Sequence, residues 1–86
     1  MLRISLVEEN HAAVRLRLEG NIAGPWVDEL KNACLQMLGE GRRPELNLAG
    51  VTFADHQGVA LLSTLSAKGI KLLECSPFVS EQIKRG

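Results

Sequence analysis

The feature that most limits what this 86-residue chain can become is a change of hydrophobic period midway along it. Glu45 to Ala49 alternates, with Leu46 and Leu48 on one side, as a half-buried strand does. From Gly58 the run Val59-Ala60-Leu61-Leu62-Ser63-Thr64-Leu65-Ser66-Ala67 is apolar on more than one side, as expected of a helix pressed against a sheet. Between them lies Val51-Thr52-Phe53-Ala54-Asp55-His56-Gln57-Gly58, with Gly50 read as opening a loop. A strand that hands over to a buried helix requires an α/β arrangement in which helices lie on a sheet.

The flanking segments supply the rest of that sheet. Leu2, Ile4 and Leu6 alternate with Arg3, Ser5 and Val7 and read as a first strand. Glu8 to His11 suits a turn, and Val14, Leu16 and Leu18 alternate with Arg15, Arg17 and Glu19 as a second strand. The short connection makes the two an antiparallel hairpin. Gly20-Asn21-Ile22-Ala23-Gly24 reads as a loop, and Pro25 fits the first position of a helix, where its missing N–H costs nothing. Trp26, Val27, Leu30, Ala33, Cys34, Met37 and Leu38 recur at helical steps until Gly39-Glu40-Gly41 stops them. Arg42-Arg43-Pro44 then leads to the third strand. After the second helix, Lys68-Gly69 forms the stop, and Ile70 to Cys75 reads as a mostly buried fourth strand. Ser76 and Pro77 open a last helix with Phe78, Val79 and Ile83 on its apolar side and Lys84-Arg85 at its end. The order is β-β-α-β-α-β-α. The expected architecture is an α/β, four-stranded mixed sheet with helices packed mainly on one side, in a single domain over residues 1–86.

Composition narrows the function. Ten basic residues balance ten acidic ones, which argues against nucleic-acid binding, where a clustered basic excess is the rule. Arg15 with Arg17, and Arg42 with Arg43, read as a solvated strand face and a loop. No apolar run approaches the roughly 18 residues of a membrane span, and no secretory leader is visible, so membrane insertion is not expected. Cys34 and Cys75 stand apart in apolar patterns and read as buried free thiols in a reducing cytoplasm. No metal-ligand spacing, phosphate loop or dinucleotide fingerprint is present, so neither metal nor cofactor is expected.

Chemistry concentrates at Asp55-His56-Gln57-Gly58. Asp55 and His56 have the residue types of an acid/base pair, but adjacent side chains rarely face one another and no nucleophile accompanies them. The chain is therefore read as no enzyme. Asp55 suits a helix N-cap, its carboxylate accepting the free N–H groups of the first turn. An exposed helix start also serves partners, and the two roles are compatible. The hydroxyls of Ser63, Thr64 and Ser66 lie within the helix, where packing or bonding to the backbone accounts for them.

Several of these stretches together resemble the STAS domain family, the anti-sigma-factor antagonists and their relatives. They are Leu16-Arg17-Leu18-Glu19-Gly20, Gly24-Pro25, Leu46 through Asp55, Gly58 opening an apolar helix, and Gly69-Ile70-Lys71-Leu72. The resemblance implies a sheet covered by helices on one side, no enzymatic activity, and regulation of bacterial transcription or signal transduction through a protein partner. In phosphorylated members the acceptor is a Ser or Thr just before the glycine. Gln57 occupies that position here, after His56, so the acceptor is missing while Asp55 and Gly58 match. A phosphate would bring about −1.5 to −2 charges to a helix start that carries only about half a positive charge. Gln57 cannot take that charge, and its neutral amide resembles the unmodified state.

The partner-facing surface is expected to combine Asn21, Ile22, Ala23 and Gly24 with Asp55, His56, Gln57 and Gly58, since both segments join a strand to a helix. The partners implied are an anti-sigma factor or serine-kinase-like protein, or the ATPase of a lipid-transporting ABC complex on which small STAS subunits dock. Assembly with itself or with sensor domains as a scaffold is the remaining reading.

Overall fold

The computed structural model describes residues 2–75 and 77–85. Its elements are β1 (Leu2–Glu9), β2 (Ala13–Ile22), α1 (Pro25–Gly39), β3 (Arg43–Ala54), α2 (His56–Ala67), β4 (Lys71–Leu73) and α3 (Pro77–Arg85). The strands form one four-stranded sheet in the order β1-β2-β3-β4. The β1–β2 pair is antiparallel, and β2–β3 and β3–β4 are parallel. The chain thus has the mixed sheet and the element order that its hydrophobic periods predict.

One face of the sheet is apolar. Val14, Leu16, Leu18 and Ile22 of β2 and Leu46, Leu48, Val51 and Ala54 of β3 are buried there. The helices cover that face with Val27, Leu30 and Cys34 of α1, Val59, Leu61, Leu62 and Leu65 of α2, and Val79 of α3, and all join one cluster. Trp26, Met37, Leu38 and Ile83 pack against it half-buried. The opposite face is open and charged. Arg15 reaches Glu45 at 3.2 Å and Glu8 at 3.5 Å, and Arg17 lies 3.9 Å from Glu19. The arginines of β2 therefore sit on a solvated strand face. Arg42 pairs with Glu9 at 2.6 Å and Glu40 at 2.8 Å.

Several boundaries differ from the sequence expectation. β2 continues through Gly20 and Asn21 to Ile22, and β3 runs from Arg43 through Gly50 to Ala54, so neither stretch is the loop expected there. The reason lies in two register shifts. Arg17 pairs with Asn47 but Glu19 with Gly50, and Gly20 pairs with Val51 but Asn21 with Phe53. Each shift inserts an extra β3 residue, so its buried positions fall at Leu46, Leu48, Val51 and Ala54 instead of every second residue. Asn47 Oδ1 accepts the Ala49 N–H at 2.9 Å at the first bulge. At the second, the Thr52 hydroxyl donates to Asn21 Oδ1 at 3.0 Å.

The other corrections are smaller. β1 extends to Glu9, and the turn follows at Asn10, whose side chain accepts the N–H groups of Ala12 and Ala13. Leu6 is 58% exposed, not buried with Leu2, because the helices do not reach the far end of the edge strand. α2 starts at His56, ahead of Gly58. β4 is short, with Ile70 buried just before it, and Cys75 is only half-buried. Ser76, expected as a cap, lies outside the described residues, as does the side chain of Phe78.

Candidate functional site

The ends of β2 and β3 are joined as a pair before either helix begins. Ile22 pairs with Ala54, and the Asp55 N–H donates to the Ile22 carbonyl at 3.1 Å. Both strands then turn over the same end of the sheet, β2 into α1 and β3 into α2.

Asp55 holds this corner together. It is the N-cap of α2, and its Oδ1 accepts the Gly58 N–H at 2.7 Å. Its Oδ2 accepts the Gly24 N–H at 3.0 Å, across the corner at the entry to α1. One carboxylate thus ties both strand-to-helix connections. The N–H groups of Gly58, then Gly24, hold its pKa below the ordinary 3.8, since each bond favours the charged form.

Gly58 completes the corner by approach. A Cβ there would lie 2.2 Å from the Ile22 carbonyl oxygen, so only a residue without one lets α2 start against β2. The expected partner-facing residues consequently divide. Ile22 is a core side chain and Gly58 is buried, so neither presents a side chain outward. Asn21, Gly24, His56 and Gln57 are exposed, while Ala23 and Asp55 are half-buried.

The carboxylate is committed to backbone donors rather than to the imidazole, so Asp55 and His56 do not form an acid/base pair. Thr52 is the nearest preceding hydroxyl, and it is engaged with Asn21. Thr64 donates to the Ala60 carbonyl at 3.0 Å, the local backbone bond expected of a mid-helix threonine.

Two features next to this corner were not read as part of it. Gln57 sits at one end of an open groove between α1 and α2, lined also by Val27, Asp28, Lys31, Ala60, Leu61 and Thr64. Phe53, 44% exposed, projects from the last bulge of β3 beside Asn21. The helical spacing of Asp28 and Lys31 and the break in alternation at Phe53 carried both signals, but only in combination with the fold.

An antiparallel hairpin feeding a parallel pair, three helices on one face, and a capped helix start at the end of the central strands define a STAS-type domain. The chain belongs to the STAS family: the family model described as Mlab, STAS domain, matches residues 5–74. It is similar in fold to the anti-sigma factor antagonist SpoIIAA in its unphosphorylated form, with a TM-score of 0.73 at 22% identity over 98% of this chain and 84% of that one. It is also similar to the structure of Mglu, with a TM-score of 0.65 at 26% identity over 86% of this chain but 20% of that one. No curated protein matches it.

Proposed function

We propose that this chain is a non-enzymatic regulatory module that binds a protein partner through the corner formed by residues 21–24 and 55–58, without phosphorylation at the position usual in its family. The observation that carries this reading is the division of labour at the corner. Asp55 is occupied in holding two connections together, which leaves His56 and Gln57 as exposed side chains on an ordered helix start. With its N-terminus already capped by Asp55, the helix start presents these side chains to a partner at little cost in ordering. Asn21 and Gly24 flank it, with Ile22, Ala23 and Gly58 shaping it from beneath.

Gln57 decides between constitutive and switched binding. SpoIIAA in its unphosphorylated form shares the fold, and the neutral amide of Gln57 matches an unmodified acceptor in charge. An anti-sigma factor or kinase-like partner in the cytoplasm fits the antagonist resemblance. Docking on the ATPase of a lipid-transporting ABC complex is favoured by the same residue, because a constitutive subunit needs no acceptor.

The test is capture from the native cell on the immobilised chain, with Gln57→Arg and Arg17→Glu as paired variants. The corner reading expects the captured protein to be lost with Gln57→Arg and retained with Arg17→Glu, which alters the open face. The reverse pattern would overturn it. The captured protein's own class, kinase or transporter ATPase, separates the two partner readings. Stoichiometric phosphate in the 55–58 turn after incubation with a captured kinase and ATP would overturn the unswitched reading.

A further inference from the structure

β1 carries features that the helix-start corner leaves unused. It ends the sheet and pairs on one side only, with β2. Leu6 and Val7 are 58% and 57% exposed on it. An apolar strand with an unpaired edge is a template for another strand.

Its charges are arranged with respect to that edge. The register shift between Leu6 and Glu8 inserts Val7 as an extra residue, which returns Glu8 to the open face opposite Arg15. On that face Glu8, Arg15, Glu45 and Lys71 stand in register across the whole sheet and alternate in sign. The row stops at Glu8, on the edge. Arg3 lies on the same face of the same strand, opposite Glu19, and makes no ion pair within 4.0 Å among the described residues.

We propose that β1 pairs antiparallel with β1 of a second copy, about a two-fold axis through Ser5, to give a continuous eight-stranded sheet. Opposed pairs in an antiparallel ladder alternate between hydrogen-bonded and non-bonded types, so a symmetric pairing must place one residue opposite itself. With Val7 set aside by the bulge, centring on Ser5 puts Arg3 opposite the second copy's Glu8 and Ile4 opposite its Leu6. Both pairs occur twice. The charge row then continues from Lys71, Glu45, Arg15 and Glu8 to the Arg3 of the second copy without a break in sign. The neighbouring registers lose this match: centring on Ile4 leaves Arg3 opposite Ser5, and centring on Leu6 sets Glu9 opposite Ile4. Opposed unlike charges and opposed apolar side chains are what stabilise strand pairs.

Charge exchange tests the pairing by sedimentation velocity. The native chain is expected to form a dimer that dissociates on dilution. Arg3→Glu alone opposes two glutamates at each end, and Glu8→Arg alone opposes two arginines, so each is expected to dimerise at least tenfold more weakly. An equimolar mixture of the two restores unlike pairs at both ends and is expected to recover native association. Circular dichroism melts establish that each variant is folded. Without any variant, amide exchange in the native chain is expected to slow with concentration across residues 3–8 and not in β2. A native chain that stays monomeric, a single variant that associates like the native one, or a mixture no tighter than its parts overturns the proposal.

Discussion

Gly58 is where one missing atom decides the geometry of the corner. The helix start can rest against the Ile22 carbonyl only because no Cβ intervenes. Gly58→Ala is expected to destabilise the fold by about 1–3 kcal/mol, the usual cost of overpacking, measured by urea unfolding. Gly39→Ala is the matched control, because nothing lies within 4 Å of a Cβ there. Being helical, it is expected to be neutral or to gain up to about 1 kcal/mol. Equal losses at the two sites would remove the close-approach argument. Asp55 makes the second residue-scale prediction. Its folded pKa lies below the unfolded value, so its contribution is fully present above the unfolded pKa and is lost as pH falls through the folded one. The native unfolding temperature is therefore expected to fall more steeply than that of Asp55→Asn as pH drops from about 5 towards 2. Asparagine keeps a capping oxygen but no titration, so parallel profiles would show that the charge contributes nothing.

At the scale of elements, β3 explains most of what the sequence did and did not disclose. Strands and helices were legible wherever hydrophobic period was regular, as in Val14 to Leu18 and Leu30 to Leu38. The extension of β3 from Gly50 to Ala54 was not, because two bulges turn a period of two into steps of three. Val51, Thr52 and Phe53 favour a strand individually, but Gly50 ahead of them and an exposed phenylalanine out of alternation conceal it, and the strand is defined only opposite β2. The cap at Asp55 was legible from local chemistry, whereas its second bond, to Gly24, depends on pairing that no local pattern encodes. Asn47 reads in sequence only as an outward strand position, yet its Oδ1 receives the Ala49 N–H and its Nδ2 donates to Glu74 at 2.9 Å. Asn47→Ala is expected to cost about 1 kcal/mol in urea unfolding, as loss of a partly exposed hydrogen-bonding group does. It is also expected to speed amide exchange at Ala49 more than at Leu46. Exchange that rises equally at both would place the effect in global stability rather than in the bulge.

Across the whole molecule, stability resides in one aliphatic cluster, and a thiol at its centre reports on it. Cys34 is wholly buried, and burial pushes its pKa up to about 11, so at pH 8 roughly a thousandth of it is thiolate. Cys75 is half-buried beside the short β4, and burial raises its pKa too. Iodoacetamide is therefore expected to label Cys75 first, through local opening, and Cys34 only through opening of the core. Where reclosing is fast, the Cys34 rate follows the open fraction, so each 1.4 kcal/mol lost should raise it about tenfold. Gly58→Ala, which loosens the corner and with it the seating of α2 on the sheet, should accelerate Cys34 by the factor its urea unfolding implies. It should leave Cys75 nearly unchanged, because that thiol opens without the core. If Gly58→Ala accelerated Cys75 and spared Cys34, the corner would be an appendage to the core. Acceleration of Cys34 instead makes the corner part of the same cooperative unit, so the surface proposed for recognition is only as ordered as the sheet beneath it.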